Sequence, residues 1–290
     1  MIFKKMSELS VNEAVALWNL GFEGYFINST LNVDRFLARA VAEGLSMELS
    51  LAMYDTFGDP VGLVMNGFRT IDGRKIAWNG GTGIAPAFRG KGYGQQLMER
   101  NLELYREQGA AAALLEALIQ NDAAIRLYQK VGYEITERLL GLQHEGTLHA
   151  DILGTNRTYD VKRGRPVEVK ELPFYRPMSA WQTQWTSLRD GESIIVTDGD
   201  AVVGYALCKR VYAEDSSLAT IVLYQCEASP GRGDEREIMR AALREVFEPG
   251  GPSCKRLTLN LRHSNQELAE LLTAMGFTSY VTQVHMLRQM

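Results

Sequence analysis

Residues 89–94 read Arg89-Gly90-Lys91-Gly92-Tyr93-Gly94 and stand between a glycine-rich apolar stretch and a helical run. Glycines there let backbone amides approach an anion, and a helix that begins near Gly92 points the positive end of its dipole at the same spot. The pattern suits a phosphate, with Arg89 and Lys91 adding charge, but a glycine-rich loop that only turns the chain has the same composition. Further on, Glu116 lies within an apolar run, where an isolated carboxylate is costly unless it is solvated or has work to do. Asn121 stands at the start of an amphipathic run and suits a helix cap. Tyr128, on the same run, reads by itself as a half-buried aromatic.

The stretch Asn121-Asp-Ala-Ala-Ile-Arg-Leu-Tyr-Gln-Lys-Val-Gly-Tyr133 follows the loop in order and at a plausible separation. Loop and stretch together resemble the GCN5-related N-acetyltransferases (GNAT), whose cofactor motif reads Arg/Gln-x-x-Gly-x-Gly/Ala and is followed by an Asn…Ala…Leu-Tyr…Gly-Tyr/Phe helix. The resemblance covers roughly residues 1–142, and two linked motifs are far harder to obtain by chance than one.

That resemblance implies acetyl-CoA as cosubstrate and an amine as acceptor. The amides of Arg89 to Gly94, Tyr93 among them, would hold the diphosphate. The glycines of Asn79-Gly80-Gly81-Thr82-Gly83 would leave room for the pantetheine arm. Ile84 or its neighbours would donate a backbone amide to the thioester carbonyl, and Asn121 would face the pantetheine. Tyr128 takes the position of the tyrosine that protonates the leaving thiolate. Glu116, twelve residues before it, matches the strand glutamate that acts as base through water in ribosomal-protein N-terminal acetyltransferases. A glutamate whose head reaches solvent from an exposed strand face fits the same pattern. Phe22, Glu23, Tyr25 and Phe26 would border the acceptor groove, most of the aromatics belonging to the core.

These groups need a scaffold. Apolar spacing predicts helices over 12–20 and 31–43, with Ser10 and Asn32 as caps. Strands over 49–54 and 61–68 flank the turn Gly58-Asp59-Pro60, and another runs from Lys75 towards Ile84. A cofactor helix over 92–108 follows. The run 110–119 is ambiguous, since alanine and leucine favour helix while its length favours a buried strand; the resemblance makes it the fifth strand. A strand over 134–143 closes the first half.

Residues 146–165, with Gly146, Gly154, Asn156 and Gly164, read as a linker between domains 1–145 and 166–290. Beyond it the order repeats: a strand at 167–171, a helix at 179–188, strands at 193–197, 201–210 and 217–227, a turn at Pro230–Asp234, a helix at 235–247 and a strand at 256–261. The segment Asn265–Phe277 lies on Asn121–Tyr133 without a gap, so the second half reads as a degraded copy of the first. Leu272 replaces Tyr128, and Asp234, Glu235 and Glu237 fill the first helical turn, where each would repel a diphosphate by roughly 1–4 kcal/mol. The expected fold is α/β (α+β): two tandem GNAT-like domains, each a mixed, mostly antiparallel sheet flanked by helices, with chemistry in the first alone.

The 290 residues carry 31 basic and 35 acidic side chains, a formal charge of −4, with no block of like charge, which argues against nucleic acid or a membrane surface as partner. Cys208, Cys226 and Cys254 form no C-x-x-C pair and read as reduced thiols of a cytoplasmic protein. The start lacks a signal peptide's apolar core. His144, His149, His263 and His285 make no helical pair, so no metal is expected, and the histidines read as surface or core residues. The function expected is acetyl-CoA-dependent N-acetyl transfer, the second domain shaping the acceptor side or a homo-oligomer. A non-catalytic CoA-responsive module is the alternative. A nucleotide site of another fold would lack both the Gly-Lys-Ser/Thr ending and a downstream acidic ribose ligand.

Overall fold

A computed structural model describes residues 1–149, 153–154 and 157–290; Asn156 of the expected linker lies outside the described residues. The chain forms two compact units, Met1–Thr136 with Val284–Met290, and Glu137–Gln283.

The first unit contains β1 (Ile2–Lys5), α1 (Val11–Gly21), α2 (Val33–Glu43), β2 (Leu45–Tyr54), β3 (Pro60–Ile71), β4 (Arg74–Ile84), α3 (Tyr93–Glu107), β5 (Ala112–Leu118) and α4 (Asp122–Lys130). It also takes the first residues of β6 (Glu134–Gly146) and the last of β13 (Thr278–Gln289). Strands β1 to β5 are neighbours in chain order, β13 lies on the other side of β5, and β4 with β5 is the parallel pair. Alternation along the strands sorts the core. Ala52, Leu63 and Met65 pack with Trp18 and Phe36 of α1 and α2. Leu51, Val64, Ala77, Leu115, Val284 and Met286 pack with Leu97, Tyr105 and Tyr128 of α3 and α4.

Local chemistry explains the helix starts. Ser10 and Glu13 form a reciprocal capping box at α1, and Asn32 accepts from the Arg35 amide at 2.9 Å at α2, which ends on left-handed Gly44. The ambiguous run is a strand, β5, central in the sheet between β4 and β13 and buried on both faces.

The second unit takes the rest of β6, then β7 (Asp160–Gly164), β8 (Glu192–Asp198), β9 (Ala201–Tyr212), β10 (Leu218–Ala228), α5 (Glu235–Phe247), β11 (Cys254–Thr258), β12 (Leu261–Arg262), α6 (Gln266–Ala274) and the start of β13. Strands β7 to β10 are consecutive and antiparallel, and β10 with β11 is parallel. The stretch read as a linker lies inside this unit and supplies β7. Besides β7 and β13, for which no strand was expected, two expected elements take another form. The predicted strand at 167–171 is a 3-10 helix, Pro166–Glu171, closed by the Arg165 amide on the Glu168 carboxylate at 2.9 Å. The predicted helix at 179–188 is two 3-10 turns, Trp181–Thr183 and Trp185–Ser187. Thr183 Oγ1 donates to the Ala180 carbonyl and Gln184 Nε2 to that of Ser179, so side chains compete with the helical ladder in a run of low propensity.

Candidate active site

The parallel pairing of β4 and β5 runs from Ile76 opposite Ala112 to Asn79 opposite Leu115. Beyond that the strands part, at the point where β4 bulges. Asn66 faces Asn79 and Met65 faces Gly81, so Gly80 is the extra residue. Asn79 braces the bulge, its Oδ1 accepting from the Gly81 amide at 3.0 Å and its Nδ2 donating to Thr82 Oγ1 at 2.7 Å.

The amide of Ala85 donates to the Val61 carbonyl, which makes 61 and 85 a hydrogen-bonded pair of the antiparallel ladder. Gly62 and Ile84, one step along, are then a non-bonded pair, and the Ile84 amide turns away from β3 towards the opening beside β5. The Ile84 carbonyl accepts from Arg89 Nε at 2.8 Å.

Arg89 also donates to the carbonyls of Gly21 and Glu23, at 3.2 and 2.6 Å, and Lys91 Nζ to that of Ala87 at 2.8 Å. The guanidinium thus fastens the end of α1 to the end of β4 rather than reaching outward. What the loop offers an anion is backbone. Gly90 and Gly92 have φ of 72° and 84°, with nothing close to where a Cβ would stand, and α3 starts at Tyr93 with no side-chain cap.

The strand glycines do other work than the resemblance implied. A Cβ on Gly80 would strike Trp78 and Leu45, one on Gly81 the Trp18 ring, and one on Gly83 the backbone of Gly21. Gly81 and Gly83 admit α1 and its aromatics to the sheet, and Gly80 makes room for Trp78 and Leu45; the opening comes from the parting of the strands.

On α4, Asn121 caps by accepting from the Ala124 amide at 3.2 Å, and its side chain lies near the Tyr25 hydroxyl. Burial pushes Tyr25 up. Tyr128 is buried with its hydroxyl near Thr82; burial pushes that hydroxyl up to about 12, against a lowering effect of Thr82, and the Tyr25 phenol raises it further. Tyr25 stacks edge-on against Phe22 and Phe26, and Phe22 lies on Trp18 at 4.2 Å, so the loop after α1 is an aromatic wall with Phe26 exposed at its end.

Glu116 does not reach solvent: its side chain is 4% exposed. One carboxylate oxygen accepts from Trp78 Nε1 at 2.7 Å and the other meets His285 Nδ1 at 3.0 Å. His285 escaped the sequence reading, which had no local signal for a partner 169 residues away.

In the second unit the same elements are closed. The amide of Arg232 donates to the Glu235 carboxylate at 3.0 Å, and backbone amides, that of Glu235 itself first and then those of Arg232, Gly231 and Gly233, hold that acid below the usual range. Asp234 is paired with Arg232 and Arg157. The bulged residue of β10 is Tyr224, where β4 has Gly80. Past it, Arg262 binds Glu227 through two bonds of 2.9 Å, Asn265 donates to the Cys226 carbonyl, and the remaining space is on the order of a single water.

Residues 14–133 match the family model described as the acetyltransferase (GNAT) family. Among curated relatives, "Uncharacterized N-acetyltransferase YdgE" of Bacillus subtilis (strain 168) is 43% identical over 54 residues, 19% of this chain and 34% of the relative; the chain spans about a third of that relative's length. A GCN5-related N-acetyltransferase from Sphaerobacter thermophilus has a similar fold, with a TM-score of 0.59 at 14% identity over 99% of this chain and 95% of the other. A tandem GNAT protein from the clavulanic acid biosynthesis pathway has a TM-score of 0.56 at 14% identity, over 99% of this chain and 97% of the other. With a loop, bulge and helix cap that fall inside the segment 14–133 matched by the GNAT family model, and a repeat of the same order behind them, the chain carries two units of the GNAT fold.

Proposed function

We propose that the chain is an acetyl-CoA-dependent N-acetyltransferase that works in its first unit. The observation that carries this is the parting of β4 and β5 at the Gly80 bulge, next to the uncapped start of α3 and with the Tyr128 hydroxyl at Thr82. The amides of Gly90 to Gly94, Tyr93 included, would hold the diphosphate with the α3 dipole behind them. Lys91 would add charge only by leaving the Ala87 carbonyl, and Arg89 would act by holding the loop. Asn121 would meet the pantetheine.

The acceptor nitrogen attacks the thioester carbon, the Ile84 amide meets the oxyanion, and the C–S bond breaks as the amide forms. Against a thiol near 8.5, complete proton transfer from a hydroxyl at about 12 is uphill by roughly 5 kcal/mol. Tyr128 therefore serves as a hydrogen-bond donor while charge builds on sulfur, and protonates it to the extent that the same dry cleft raises the thiolate's own proton affinity. The proton that the amine loses leaves on the Glu116 side. Three free, buried cysteines fit a reducing cytoplasm. Among the described residues no helix is long and apolar enough to cross a membrane.

The test is release of free CoA from acetyl-CoA with a panel of primary amines: an alkyl diamine, an amino sugar, an amino-acid amide and a short peptide with a free N-terminus. Acetyl-CoA binding with turnover of none of these classes would leave the CoA-responsive module as the better reading.

A further inference from the structure

We propose that His285, on the last strand of the chain, is the base that receives the acceptor's proton, and that Glu116 positions it. This rests on the acetyltransferase reading above. The contacts Met290 amide to Ala111 carbonyl and His285 to Glu116 run in opposite chain directions, so β13 lies antiparallel to β5 with His285 across from Glu116. Thr136 Oγ1 donates to the His285 carbonyl at 3.2 Å and holds the strand from its other side.

Glu116 is badly placed to take a proton itself. It is buried, and each of its oxygens is already engaged, by Trp78 and by His285. A carboxylate only accepts, so the proton of the 3.0 Å contact sits on His285 Nδ1, and the lone pair is left on Nε2. Nε2 has no hydrogen-bond partner among the described residues, yet it is not one of the sealed, unpartnered polar atoms of the core. It is therefore open to a small molecule or a water.

Position agrees with chemistry. Glu116 is the first residue of β5 beyond its last pairing with β4, so the dyad stands where the strands part. Leu115 and Ala117, like Val284 and Met286, face the core under α3 and α4 where Tyr128 lies. Glu116 and His285 alternate with them and face the opposite side of the sheet. Acid and base thus stand on opposite faces of the sheet beside the opening, so the group that takes the amine proton and the group that serves the departing sulfur do not compete for one place. In the reaction the amine N–H proton passes to His285 Nε2, directly or through one water, as the N–C bond forms; the imidazolium so made is stabilised by the Glu116 carboxylate, and the proton then goes to solvent.

The experiment compares wild type, His285→Ala, His285→Gln and Glu116→Gln at saturating acetyl-CoA with the best amine of the panel, with calorimetric acetyl-CoA binding as the check on folding. His285→Ala should lower kcat by about a hundredfold or more with Kd for acetyl-CoA within about twofold, and added imidazole should restore part of it. Glu116→Gln, a positioning change, should lower kcat less and leave the KM for acetyl-CoA in place. Nitrogen-15 spectra of labelled histidine should show His285 in the Nδ1–H tautomer, and Glu116→Gln should abolish that preference. Transfer that survives His285→Ala, or an Nε2–H tautomer in wild type, overturns the proposal. A wild-type protein that acetylates no amine overturns the acetyltransferase reading instead, and the tautomer still decides whether the dyad exists.

Discussion

Glu235 and Arg232 are joined through the Arg232 amide and the Glu235 carboxylate at 3.0 Å, so the second unit carries its own anion in the loop where the first leaves amides bare. An acid at the first position of α5 does there what a ligand phosphate would do. Acetyl-CoA should accordingly bind once per chain. Tyr93 occupies the first position of α3, and Tyr93→Glu should reproduce the plug, weakening acetyl-CoA at least tenfold by calorimetry. Glu235→Gln should create no second site, because the Glu227–Arg262 pair still fills the parting of β10 and β11. Two sites of comparable affinity in the wild type would refute this.

Arg89 looks like a phosphate ligand in sequence and behaves as a fastener in the fold. Its three carbonyl partners join the end of α1 to β4. Arg89→Ala should therefore lower the stability of the first unit by about 1–3 kcal/mol in urea unfolding. Acetyl-CoA affinity, measured well below the unfolding midpoint, should change less than about threefold, with an unaltered salt dependence. A large affinity loss with stability intact would return Arg89 to the diphosphate.

Tyr128→Phe should lower turnover tenfold to a hundredfold and leave acetyl-CoA binding nearly unchanged, since its hydroxyl matters most when charge reaches sulfur. Single-turnover rates are the proper measure, because product release could mask the step. An unchanged rate would make Tyr128 a packing aromatic whose hydroxyl merely lies beside Thr82.

Features whose physics is local were legible in the chain: the caps Ser10, Asn32 and Asn121, the glycine loop that opens α3 beside Gly92, and the acids at the start of α5. That the ambiguous run 110–119 is a strand between the cofactor helix and α4 followed from the two linked motifs. What escaped depends on distant partners. Nothing near Arg89 says that it will find Gly21 and Glu23, and nothing near His285 points to Glu116. In sequence the glycines of β4 look like space for a ligand because the aromatic ring and helix that fill that space come from elsewhere in the chain. Trp181–Ser187 shows the converse limit, a helical apolar spacing broken by its own side-chain hydrogen bonds.

Alkaline pH should destabilise the protein in a defined window. Burial raises Tyr128 to about 12 from an ordinary value near 10, and Tyr105 and Tyr224 are raised in the same way. A folded value above the unfolded one means stability that is complete below pH 10 and lost as pH climbs towards 12, by about 1.4 kcal/mol per pH unit for each such group. Urea unfolding at pH 9, 10 and 11 should show the decline beginning above pH 10, and Tyr128→Phe should make it shallower. An equal slope in the variant would place Tyr128 in contact with water.

Removal of the last seven residues should disable the first unit, although they lie at the far end of the chain from its motifs. Val284 and Met286 are buried under α3 and α4, and β13 covers the edge of β5. Their loss removes about 1.5–3 kcal/mol of burial for each of the two side chains and leaves β5 with unpaired backbone on one side. A chain ending at Gln283 should therefore lose acetyl-CoA binding and the cooperative unfolding of this unit, and a half-chain of residues 1–165 should fail in the same way, because it too lacks the strand. His285→Gln separates the two contributions of β13: it keeps the strand and should keep binding and stability, while removing the imidazole. Normal acetyl-CoA affinity and unfolding in the chain ending at Gln283 would show that the first unit closes without β13, and His285 would then have no fixed place beside Glu116.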